Sequence, residues 1–251
     1  PLRDVPVVRR GFRVTNAVQM SSSENIEDPT VNTPAAEEAV ATEPGITFAE
    51  IGLPEQLVAA LARNSITVPS PIQAQSIPDA LAGTNVLGRA QTGSGKTLAF
   101  GLPMLTRLSR HEDRPAAKRP RALVLVPTRE LAMQVSEAFF RYGKDLNAKC
   151  VPVYGGQPIF RQLQALDRGV HIVVGTPGRV LDHIRRRTFK AGAIRHLVLD
   201  ECDEMLSMGF LEDIRAILDQ VKSEHLTALF SATIPSDIER IAKRYMKDPV
   251  S

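Results

Sequence analysis

Ala90-Gln91-Thr92-Gly93-Ser94-Gly95-Lys96-Thr97 lies between a short apolar run, Asn85 to Gly88, and a longer apolar stretch that opens near Leu98. Strand, glycine-bearing loop and helix in that order are the setting of a phosphate-binding loop. Gly93 and Gly95 let backbone N–H groups turn inward around phosphate oxygens, and the following helix offers its positive end to the same charge. In that pattern Lys96 reaches the β- and γ-phosphates of a nucleotide, and the Thr97 hydroxyl ligates Mg²⁺. Ala90 departs from the general pattern, which has glycine at that position. The alternative is an ordinary glycine-rich turn, but the Gly-Lys-Thr ending in this setting argues for nucleotide binding.

Similar apolar runs recur on both sides of the loop. Asn85 to Gly88, Ala122 to Val126, Lys149 to Val153, His171 to Val174, His196 to Leu199 and Thr227 to Phe230 read as buried strands. Glu130 to Tyr142, Arg161 to Leu166, Arg179 to Arg186 and Leu211 to Val221 read as helices between them. Strands alternating with helices predict an α/β fold, a mainly parallel sheet with helices on both faces. Ser109 to Arg121, charged and Pro-containing, is expected to be a surface loop. No internal repeat is present.

A phosphate loop needs a carboxylate to hold the magnesium shell, and Leu197-Val198-Leu199-Asp200-Glu201 supplies one at the end of a buried strand. Asp200 is expected to engage Mg²⁺ through water, and Glu201 to polarise the water that attacks the γ-phosphate. Taken alone, an apolar strand ending in Asp-Glu is an ordinary strand end. Its pairing with Lys96 makes it specific.

The whole chain has 251 residues, 31 basic and 28 acidic. Its charge is unevenly spread. Residues 1–19 hold four Arg against one Asp, residues 20–45 hold six acids and no base, and the remainder holds 27 bases against 21 acids. The globular part is therefore more basic than the total of +3 suggests, which favours a polyanionic partner. Residues 20–45 are rich in Ser, Glu, Pro, Thr and Ala without periodicity, so residues 1–45 are expected to be a disordered extension. Met20 reads as a native start, with residues 1–19 lying upstream of it. Cys150 and Cys202 exclude a disulfide scaffold, and no cysteine or histidine spacing suggests zinc. No apolar run approaches the roughly 20 residues that cross a bilayer. A cytoplasmic setting with no membrane partner is expected.

Further motifs stand in order along the chain: Gln73 in Pro69-Ser70-Pro71-Ile72-Gln73, Pro127-Thr128-Arg129-Glu130-Leu131-Ala132, Gly155-Gly156, Thr176-Pro177-Gly178-Arg179, Asp200-Glu201-Cys202-Asp203 and Ser231-Ala232-Thr233. Over residues 46–251 the sequence resembles the first RecA-like domain of a DEAD-box RNA helicase, with Cys202 where that family usually has alanine. The resemblance implies a RecA-like P-loop domain that binds ATP and Mg²⁺. It also implies that Gln73 recognises adenine through paired amide hydrogen bonds, with Phe48 as an isolated aromatic upstream. Without it, Gln73 would read as a routine surface residue at a loop–helix junction.

For RNA, the resemblance assigns sequence-independent backbone contacts, with single strands favoured, to Pro127, Thr128, Arg129, Gly155, Gly156, Thr176, Pro177, Gly178 and Arg179. These residue types suit the task, since Gly admits close approach, Thr donates a hydroxyl and Arg pairs with phosphate, and none of them reads a base. Asp203, Ser231 and Thr233 are implied to couple nucleotide state to strand separation. Ser65-Ile66 stands where the family usually has glycine followed by an aromatic, and Ile66 cannot stack on a base as an aromatic does. Cys202 reads as a small buried substitution rather than a nucleophile. The run His183 to Lys190 reads as a solvated basic helix end, or secondarily as an auxiliary RNA contact.

Lys247-Asp248-Pro249-Val250-Ser251 resembles the start of the linker to a second RecA-like domain, where the family carries its arginine finger. Without such a finger, turnover falls by about 10³ to 10⁵. The chain alone is therefore expected to be nearly inactive, whereas the full-length protein is expected to couple RNA-stimulated ATP hydrolysis to local unwinding of short duplexes. The other reading is a chain that ends naturally at residue 251 and acts as a non-catalytic nucleotide- or RNA-binding module.

Overall fold

Every residue of Ala122–Leu125 is buried, because successive side chains enter different cores. Leu123 and Leu125 join one apolar cluster, and Ala122 and Val124 join the other. The same alternation places Ile172, Val174, Val198 and Phe230 on one face and Val173, Leu197, Leu199 and Leu229 on the opposite face. A strand covered on both sides reads as a continuous apolar run, which is why these strands stand out in the sequence.

The computed structural model describes residues 46–110 and 115–251. Helices α1 (Glu55–Arg63) and α2 (Pro71–Ala82) precede β1 (Val86–Arg89), α3 (Lys96–Ser109), β2 (Ala122–Leu125), α4 (Arg129–Gly143), β3 (Cys150–Val153) and α5 (Ile159–Asp167). Then come β4 (Ile172–Gly175), α6 (Pro177–Arg185), β5 (His196–Leu199), α7 (Cys202–Ser207), α8 (Leu211–Leu218), β6 (Leu226–Ser231) and α9 (Ser236–Tyr245). The strands form one sheet in the order β1-β6-β5-β2-β4-β3, and every pairing is parallel. The expected α/β fold is thus observed, with strand boundaries shifted by a residue or so. The expectation of disorder in residues 1–45 falls outside the described residues.

One face of the sheet is covered by a core that includes Phe48, Leu57 and Leu61, together with most of α3. Helix α3 lies between α2 and α4, so it is apolar nearly all round. The other face is covered by Val180, Met205, Ile214 and Ile238, from α6, α7, α8 and α9. At the free edge of β1, the N–H of Leu87 donates to the Val250 carbonyl at 2.8 Å and the N–H of Val250 to the Asn85 carbonyl at 2.9 Å. Residues just before Ser251 therefore cap the exposed sheet edge.

Candidate functional site

Because the six strands among the described residues are all parallel, their carboxyl ends share one edge of the sheet, where open α/β folds bind ligands. The strand order divides that edge in two. Ends of β1, β6 and β5 carry the phosphate loop, Ser231 and Asp200, whereas ends of β2, β4 and β3 lead into Pro127, Thr176 and Gly155.

The phosphate loop is closed by local bonds. The Ala90 N–H donates to the Ser231 carbonyl at 3.0 Å, and the Ser94 hydroxyl donates to the Gln91 carbonyl at 2.7 Å. Gly95 caps α3 at φ 95°, a left-handed conformation that favours glycine. It is also crowded, since a Cβ there would lie 2.6 Å from Gln73 Nε2 and 2.8 Å from Ser70 Oγ. The first N–H groups of α3 have no acceptor within the helix. They stand next to Lys96, the helix's first residue.

Lys96 Nζ lies 3.3 Å from Asp200 Oδ1 and 3.5 Å from Glu201 Oε1. Its side chain is 6% exposed and that of Asp200 2%. Burial pushes the Asp200 carboxyl above its usual range, and Lys96 opposes that shift. Glu201 adopts a left-handed backbone conformation at φ 52°, at the break between β5 and α7. Such a conformation costs a non-glycine residue about 1–2 kcal/mol, and strain of this kind gathers at working sites. It is accompanied by a hydrogen bond from the Thr92 hydroxyl to Glu201 Oε1 at 2.6 Å. One cation thus faces two carboxylates beside a cluster of backbone donors. The arrangement can take up anionic oxygens together with a divalent cation.

Gln73 is 4% exposed, at the third position of α2. Its Oε1 accepts from the Ser70 N–H at 3.0 Å, and its Nε2 donates to the Gly95 carbonyl at 3.1 Å. One N–H and one lone pair of the amide remain for a ligand. The Ser70 hydroxyl donates to the Ser94 carbonyl at 3.0 Å, a second brace on the loop that sequence reasoning did not single out. Phe48, expected at the nucleotide, is 2% exposed, in the core cluster that also holds Leu57 and Leu61.

Asp203 turns away from Lys96 toward β6. Its N–H donates to Ser231 Oγ at 3.0 Å, and its Oδ2 accepts from both the backbone N–H and the hydroxyl of Thr233. Burial alone would raise its pKa, but the hydrogen bonds from Ser231, Thr233 and Glu204 outweigh burial and lower it. Cys202, fully buried, has its thiol pushed up to about 12 by burial first and by Asp203 second. It is chemically quiet at neutral pH.

In the other half of the edge, Thr128 caps α4, its hydroxyl accepting from the Leu131 N–H at 3.2 Å. Arg129 is exposed and paired with Glu130 at 3.1 Å. Gly155, Gly156 and Gly178 are exposed, while Pro127 and Pro177 are buried, Pro177 as the first residue of α6. Arg179 is drawn inward, where it donates to the Gln157 carbonyl and to Gln162 Oε1, both at 3.3 Å.

That last contact belongs to a buried network that the sequence reading missed. Gln162 Nε2 donates to the Tyr154 carbonyl at 3.0 Å, and His183 Nε2 lies 2.8 Å from Gln162 Oε1. The expectation of a solvated run from His183 to Lys190 needs correction. His183 and Phe189 are buried, and only the arginines and Lys190 face solvent. The available signal was helical spacing, which sets Gln162 four residues before the buried Leu166.

Among the described residues, no three His, Cys, Asp or Glu side chains form a group able to hold a metal ion, and no helix is long and apolar enough to cross a membrane. An Mg²⁺ site completed by phosphate oxygens needs no such all-protein cage.

Residues 70–241 match the family model of the DEAD/DEAH box helicase. The chain is 50% identical over 204 residues to the DEAD-box ATP-dependent RNA helicase CshA of Bacillus subtilis, covering 81% of this chain and 40% of that protein. It is 50% identical over 207 residues to the ATP-dependent RNA helicase DeaD of Haemophilus influenzae, covering 81% of this chain and 33% of that one. A DEAD box protein from Methanococcus jannaschii superposes with a TM-score of 0.75 at 38% identity, covering 81% of this chain and 55% of its own. A hypothetical ATP-dependent RNA helicase from Sulfolobus tokodaii gives 0.72 at 36% identity, covering 78% and 56%. The chain spans 41% or less of the length of these curated relatives. With its loop, its carboxylate pair and its strand order all agreeing, the chain belongs to the DEAD/DEAH box helicase family.

Proposed function

We propose that this chain is the ATP-binding half of an ATP-dependent RNA helicase. The observation that carries the reading is the Lys96 ammonium, buried between Asp200 and Glu201 at the foot of the phosphate loop. Desolvating three charges is costly unless they serve a ligand, and the surplus carboxylate suits a divalent cation arriving with phosphate.

In this reading Lys96 exchanges its carboxylate partners for phosphate oxygens. The N–H groups around Gln91, Thr92, Gly93, Ser94, Gly95 and Thr97 cradle the same oxygens, with Ala90 at the loop's base. Thr97 and Asp200 hold the shell of an Mg²⁺ ion, which when bound polarises the phosphate. Glu201 orients the attacking water and accepts its proton. Gln73 meets adenine with its spare donor and acceptor, and Phe48 supports that pocket from the core behind it.

RNA backbone crosses the other half of the edge, along Pro127, Thr128, Arg129, Gly155, Gly156, Thr176, Pro177, Gly178 and Arg179. Asp203, Ser231 and Thr233, joined to one another beside Asp200 and Glu201, couple the two halves. A second RecA-like domain in the full-length protein completes both sites, and the cytoplasm is its setting. Titration with a fluorescent ATP analogue in the presence of Mg²⁺ tests the core of the proposal. Wild-type chain should bind, Lys96→Gln should bind at least about tenfold more weakly, and equal binding would overturn it.

A further inference from the structure

The edge of the sheet opposite the candidate site carries an open groove of about 1050 Å³. Arg107, Arg110, Arg119, Arg121 and Arg195 line it, and among the described residues Glu224 is the one acidic residue in that lining. These arginines come from separate segments that the sheet brings together. The Arg121 carbonyl accepts from the N–H groups of Arg195 and His196 at 2.7 and 3.1 Å, and the Arg195 carbonyl from that of Leu226 at 2.9 Å. The starts of β2, β5 and β6 are thereby aligned, with the end of α3 supplying Arg107 and Arg110.

Among the described residues, little neutralises the charge in the groove. Arg121 Nη1 is buried without a hydrogen-bond partner. Arg107 spends one N–H on the Leu81 carbonyl at 3.0 Å, and its pKa is lowered by burial first and by the charge of Arg110 second. Arg110 and Arg119 are exposed and take part in no ion pair among the described residues. A helix dipole explains only the pair at the end of α3.

From this juxtaposition we infer that the groove is a second phosphate-backbone site for RNA, on the face opposite the nucleotide. The inference rests on the proposed RNA-binding function. The groove is too wide for a single phosphate, and its guanidinium groups are spread over several segments, as successive phosphates would require. Gly83, Ala116 and Gly192, with little or no side chain, also line it. Among the described residues no Phe, Tyr or Trp lines it, so bases are neither stacked nor read. A strand held here would be tethered whatever the nucleotide state at the far edge.

The test measures fluorescence anisotropy of labelled oligouridine with the full chain over a range of KCl. It compares wild type with the triple variant Arg110→Gln, Arg119→Gln, Arg195→Gln, and with Arg129→Gln at the other edge. Losing three phosphate contacts should reduce the slope of log K against log salt by about 2 and weaken binding near 0.1 M KCl by roughly tenfold. Melting temperature and ATP-analogue binding should stay unchanged. An unaltered slope and affinity in the triple variant would overturn the inference. If the triple variant weakens binding while Arg129→Gln does not, the groove stands and the carboxyl-edge reading falls. No RNA binding by wild type would sink both. Inorganic polyphosphate of matched charge serves as a further arm: if it binds through the groove while RNA ignores the triple substitution, RNA is the wrong occupant.

Discussion

Asp203 Oδ2 accepts two hydrogen bonds from Thr233, one from the backbone N–H and one from the hydroxyl, each 2.9 Å long. Together with the bond from the Asp203 N–H to Ser231, they tie the turn that carries Asp200 and Glu201 to the end of β6. Movement at the nucleotide can therefore reach Ser231-Ala232-Thr233 without passing through the core. Thr233→Val keeps the shape and the N–H bond but loses the hydroxyl. Because Thr233 is exposed, the stability cost should be about 1 kcal/mol or less. In the full-length protein, duplex unwinding should fall more than RNA-stimulated ATPase does. A parallel loss of both would disprove the coupling role.

Glu201 is the water-activating base of the proposed function, and its carboxylate lies beside Lys96 and Thr92 on a left-handed backbone. Glu201→Gln preserves size and removes the base. RNA-stimulated ATPase of the full-length protein should drop by about 10² to 10⁴, the range for removal of a general base. Binding of a fluorescent ATP analogue should persist. Undiminished turnover would refute the assignment.

Most of the sheet was legible in the sequence, because strands buried on both faces leave uninterrupted apolar runs such as Ala122 to Val126. The phosphate loop and Asp200-Glu201 were legible because each is local. Helix α2 was harder to see, since Pro78 sits inside it and its apolar stripe is weak. The network around Gln162 was invisible for another reason. Its partners Arg179 and His183 are 17 and 21 residues away, and only the fold brings them together. Burial of Phe48 likewise depends on packing against α1, which no motif encodes.

Ser65 occupies a left-handed conformation at φ 59°, just past the C-cap of α1, and Ile66 packs half-buried against the core face that contains Phe48. A left-handed residue other than glycine costs about 1–2 kcal/mol. Glycine would offset part of that gain through its more flexible unfolded chain. Ser65→Gly should therefore stabilise the chain by about 0.5–1 kcal/mol in urea unfolding. Ile66→Phe would add a ring able to stack on adenine, and should tighten binding of a fluorescent adenine nucleotide. Equal or poorer binding would remove Ile66 from the adenine pocket.

His183 Nε2 faces the Oε1 of Gln162, an acceptor only, so that nitrogen carries the proton, and Nδ1 meets the Thr188 hydroxyl at 2.9 Å. Burial lowers the His183 pKa, and the nearby Arg179 charge adds to the shift. In the unfolded chain the imidazole takes up a proton below about pH 6.5, whereas the folded protein resists it. The unfolded state then binds more protons, so the stability that neutral His183 contributes is present above that pH and lost as pH falls toward the folded value. His183→Gln should flatten the decline of the urea midpoint between pH 7 and 5, and an unchanged slope would contradict the assignment. Gln162→Leu tests the network's other end. It frees Arg179 and loosens the turn at Gly155-Gly156, so RNA affinity should fall by several fold while ATP-analogue binding holds. If both ligands weaken together, Gln162 supports the whole fold rather than positioning the RNA edge.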